Sequence, residues 1–69
     1  MSIAVSNKAL SLGLELGVGE TEDEVAGRIR RMMHEAAPMT LGAYNYRYEQ
    51  YGFSVTSDVV VSICLLEQL

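Results

Sequence analysis

Apolar and polar positions along this chain follow two different periods. Between residues 21 and 37 (TEDEVAGRIRRMMHEAA) the period is helical: Val25, Ile29, Met32, Met33 and Ala36 fall on one stripe. Thr21 stands where an N-cap belongs, with Glu24 three residues on, the spacing of a capping box. Glu22, Asp23 and Glu24 face the positive end of the helix dipole, while Arg28, Arg30, Arg31 and His34 follow toward its negative end. Pro38 ends the pattern, because it cannot donate to the helical ladder.

Elsewhere the period is two. Leu10, Leu12, Leu14, Leu16 and Val18 alternate with Ser11, Gly13, Glu15, Gly17 and Gly19, which predicts a strand with one nearly bare face. Ser6 is placed to cap a helix here, but a helix would scatter the leucines around its circumference. A second strand is expected over residues 39–48, with Leu41, Ala43, Asn45 and Arg47 on one side and Tyr44, Tyr46 and Tyr48 on the other. After a turn at residues 49–52, residues 53–66 read as a third extended run, with a break near residues 56–58. Its apolar core from Val59 to Leu66 has no polar face, as expected of a strand in mid-sheet. A short edge strand near Ile3 and Val5 adds little. The expected fold is α+β: one small domain over residues 1–69, ordered strand, helix, strand, strand. A right-handed crossover gives a three-stranded mixed sheet of order 1-3-2 with one helix packed on one face.

Composition narrows the function. The 49% hydrophobic content of 69 residues is that of a folding chain, and the single cysteine, Cys64, allows no internal disulfide. That usage, with no leader pattern and no apolar run near the roughly 20 residues of a membrane span, points to a soluble cytoplasmic protein. A net charge of −4 argues against direct nucleic-acid binding, which is built from phosphate-neutralising Lys and Arg.

Candidate chemistry is sparse. Gly17, Val18 and Gly19 precede a helix as a dinucleotide-binding loop does, but Glu22 replaces the third glycine and the acids around it repel a pyrophosphate. One histidine and one cysteine, thirty residues apart, supply no zinc site, and Cys64 lies in the most apolar strand, where a thiolate is disfavoured. No metal, no cofactor and no catalysis are expected. Two groups of residues remain as partner-binding candidates. Glu20, Glu22, Asp23 and Glu24 form the densest charge in the chain, although acids in a first helical turn also serve the helix itself. Tyr44, Tyr46 and Tyr48, with Tyr51 nearby, form either a contact surface or a cross-strand aromatic ladder. Arg28, Arg30 and Arg31 read as a solvated helix face, with Glu24–Arg28 and Arg31–Glu35 at ion-pair spacing.

In size, acidity and lack of catalytic motifs the chain resembles phage-encoded inhibitors of the anti-CRISPR type, some of which mimic DNA. The resemblance is one of type and transfers no residue. It implies a protein-binding inhibitor, not an enzyme, that occupies a basic, nucleic-acid-binding site of a larger protein, with a monomer favoured over a homodimer. The other reading is a structural or regulatory module that self-associates through the sheet face around Val60, Cys64, Leu66 and the tyrosines.

Overall fold

The computed structural model describes residues 3–68. Its elements are β1 (Ala4–Val5), α1 (Asn7–Glu15), α2 (Glu22–Glu35), β2 (Ala37–Leu41), β3 (Tyr44–Tyr48), β4 (Tyr51–Thr56) and β5 (Val59–Leu65), followed by a 3-10 turn, Leu66–Gln68. The architecture is α+β, but with two helices and five strands where the sequence predicts one helix and three strands. The sheet order is β1-β5-β4-β3-β2, not 1-3-2, and the parallel pair is β1 with β5.

The first correction concerns the alternating leucines, which lie in or just beyond a helix. Ser6 caps it: its Oγ accepts from Ala9 N at 3.1 Å. A Schellman motif ends it, with Gly17 in the left-handed region (φ 78°), Val18 N donating to Gly13 O at 2.9 Å and Gly17 N to Leu14 O at 3.2 Å. Gly17 is therefore a helix stop, not part of a strand or a phosphate loop. Scattering the leucines costs little, because Ala9 and Gly13 form a small, fully covered contact line with Leu10 and Leu14 on one flank and Leu12 and Leu16 on the other.

As a second correction, the strand expected over residues 39–48 is instead a hairpin, and the break expected near residues 56–58 is the turn of another. Gly42 (φ 61°) turns β2 into β3, Glu49 (φ 52°) turns β3 into β4, and Ser57 and Asp58 (φ 51° and 63°) turn β4 into β5. Positive φ at both loop residues makes the last a type I′ turn, whose twist suits paired strands. The four strands meander from one edge back to β1, and the two helices carry the chain across the sheet to the far edge. The middle position belongs to β4; β5 has a neighbour on its other side only at Val59 and Val60, where β1 pairs with it.

α2 matches its expected place. Thr21 Oγ accepts from Glu24 N at 3.2 Å, and the Glu24 carboxylate accepts from Glu20 N at 3.0 Å, one residue earlier than the usual box. Val25 and Ile29 are fully buried and Met32 and Met33 lean on the same core. That core is completed by Ala9, Val18, Phe53, Val60 and Ile63, all on the helix side of the sheet. On the opposite face, a Cβ at Gly52 would meet Leu66, Met39 and Cys64, so these residues form a small second cluster.

Candidate functional site

The acidic corner is built around the start of α2. Glu20, Glu22, Asp23 and Glu24 are all exposed, on a turn held from both sides. Gly19 packs so tightly on Glu24 and Val25 that a Cβ there would lie 2.9 Å from the Glu24 Cβ. The Arg28 guanidinium donates to Val18 O at 2.6 Å, tying α2 to the end of the Schellman turn. Arg28 thus anchors the loop, and Arg30 donates from Nε to Ile3 O at 2.9 Å, anchoring β1. The sequence reading of a merely solvated basic face missed both bonds, because their carbonyl partners are far along the chain.

The tyrosines do not share one surface. Tyr46, Tyr48 and Tyr51 are half-buried against the helix-side core, with Tyr48 directly opposite Tyr51 across β3 and β4. Tyr44 sits elsewhere, its phenol beside the Cys64 thiol and the Ser62 hydroxyl. Burial, with the neighbouring Cys64 second, pushes its pKa above the ordinary tyrosine value. Asn45 separates the two groups: its side-chain amide takes the ladder's place, accepting from Val55 N at 2.9 Å and donating to Val55 O at 2.8 Å. Cys64 and His34 are also apart, since Cys64 lies on the sheet face away from the helices and His34 is exposed in the last turn of α2. Among the described residues no three His, Cys, Asp or Glu side chains gather as a metal site requires. Nor is any helix among them long and apolar enough to cross a membrane.

Sequence reasoning missed one feature altogether. A cleft of about 420 Å³ runs between α1 and β5. Four consecutive residues of β5, Ser62, Ile63, Cys64 and Leu65, line one wall. Successive strand side chains point to opposite faces, so what these four share is the edge of the strand. The other wall is one flank of α1: Lys8, Leu12, Glu15 and Leu16. No signal in the sequence could have shown it, because with residues 10–19 read as a strand there is no helix flank to form it.

Comparison with protein-family models, with curated proteins and with solved structures gives no match to this chain.

Proposed function

We propose that this chain is a small, non-catalytic cytoplasmic protein that binds a larger protein, presenting Glu20, Glu22, Asp23 and Glu24 to a basic, nucleic-acid-binding surface, as inhibitors of the DNA-mimic or anti-CRISPR type do. One observation carries the reading: the four carboxylates stand exposed on a corner stiffened by the Thr21–Glu24 cap, the Arg28–Val18 bond and the close packing of Gly19. A rigid acidic corner loses little conformational freedom on docking, which is where binding energy is otherwise spent. Self-association has less support. Among the described residues Leu41 is the one large hydrophobic side chain that is exposed.

The test is competition. Protein captured on the immobilised chain should be released by duplex DNA and by salt, since both act on a basic site. Glu20→Lys with Asp23→Lys should abolish capture while circular dichroism stays unchanged, because Thr21 and Glu24 keep the cap. Capture that persists in the reversed variant, or that ignores DNA, overturns the reading.

A further inference from the structure

The two edges of the sheet are treated differently. At one, β2 carries Pro38 and a register irregularity between Pro38 and Leu41, devices that keep an edge from pairing. At the other, β1 covers β5 only at Val59 and Val60, and the chain then leaves the sheet at Ser6, whose N–H and Oγ–H donate to Val60 O and Val61 O at 2.9 and 3.2 Å. Past that point β5 continues as Ser62, Ile63, Cys64 and Leu65, with β4 on one side and the cleft on the other. This stretch holds no proline and no charge.

The charges beside it have an unusual arrangement. α1 has Lys8 in its first turn and Glu15 at its end, each at the wrong pole for the helix dipole, whereas α2 has acids first and His34 last. Both misplaced charges line the cleft. Ser6 fixes the start of α1 at Val60 and Val61, and from there α1 runs beside β5, so Lys8 lies toward Ser62 and Glu15 toward Leu65. The nine residues of α1 and the four strand steps past Val61 each span roughly 13 Å, so helix and free edge flank a slot of strand length.

We propose that this slot docks an extended peptide of a partner protein, which adds as a strand antiparallel to β5 with its basic end at Glu15 and its acidic, C-terminal end at Lys8. Main-chain bonds to the free edge of β5 hold the backbone, and alternate side chains of the peptide divide between Leu12 and Leu16 on one side and Tyr44 on the other. The site is separate from the acidic corner and does not depend on its function.

Selection from a random-peptide display library on the full-length chain tests this. Enriched peptides should alternate apolar and polar residues, with a base before and an acid after the apolar positions. A synthetic copy with blocked termini should slow amide exchange at residues 62–65. The variant Lys8→Glu with Glu15→Lys, whose charges suit the dipole and so keep the helix, should bind that peptide at least tenfold more weakly. It should regain affinity for the peptide with its base and acid exchanged. Unchanged affinity in the variant, protection elsewhere in the chain, or no enrichment overturns the proposal. So does protection of residues 62–65 without peptide at doubled molecular mass, which would mean that a second copy fills the edge.

Discussion

Gly13 of α1 lies against Val25 of α2 so closely that a methyl group at Gly13 would overlap the Val25 Cγ1. The helices meet through this missing side chain, and the contact lets α1 sit low enough for Ala9 to be fully buried. Gly13→Ala should therefore destabilise the protein by about 1 to 3 kcal/mol through overpacking, although alanine is the better helix former. Gly27, exposed in α2, is the opposite case: a Cβ there meets nothing within 4 Å. Gly27→Ala should stabilise by up to ~1 kcal/mol. Urea titration of the two variants should give shifts of opposite sign, and equal signs would refute the helix–helix contact.

The two N-caps differ in what else they hold. Thr21 is exposed and satisfies one amide of α2, so Thr21→Ala should cost about 0.5 to 2 kcal/mol. Ser6 caps α1 and also donates to Val61 O, where the β4–β5 register shifts. Ser6→Ala should cost more than Thr21→Ala, because it frees the start of α1 and leaves a partly buried carbonyl unpaired. Thermal unfolding of both variants is the check.

Alkaline pH should act through Tyr44. Its folded-state pKa lies above the ordinary value of 10.0, so between that value and the raised one the folded protein holds a proton that the unfolded chain has lost. The stabilisation is complete below pH about 10 and is lost as pH rises through the folded value. Tyr44→Phe should flatten the alkaline fall in stability, read by urea titration at a series of alkaline pH values. A variant whose alkaline profile matches wild type would show that Tyr44 is not the phenol held protonated by burial.

The chain's own sequence determined α2 and the position of the acidic corner, because both rest on local physics. A cap three residues from its partner, a dipole with charges at its ends and a stripe at helical spacing all act within a few turns, and nothing distant opposes them. The leucine stretch was different. A two-residue period fits a strand by itself, and becomes a helix only because Gly13 admits Val25, Val18 closes the Schellman turn onto the core, and Ser6 is fixed to β5. The Ser6 cap and the Schellman turn are local, but the contacts with Val25 and with β5 that select the helix are made with other elements and are invisible along the chain.

Of the three hairpin turns, those at residues 49–52 and 56–58 were legible as a turn and a break, whereas the turn at Gly42, inside the expected strand 39–48, was not. A two-residue turn is legible when asparagine or aspartate precedes glycine, since those residues accept positive φ at little cost. Here Glu49 and Ser57 adopt it instead, at φ 52° and 51°, held there by the pairing of Tyr48 with Tyr51 and of Thr56 with Val59. Pairing stabilised a backbone state that those residues would not choose, so the assembled sheet decided the conformation of these turns. The tyrosines divided between two places for the same cause: Asn45 replaces a ladder bond with its side chain, and the alternation that predicted one tyrosine face stops there. The cleft beside β5 belongs wholly to the tertiary structure, because it exists only where β1 ends early and α1 turns its charged flank toward a strand contributed from the other end of the chain.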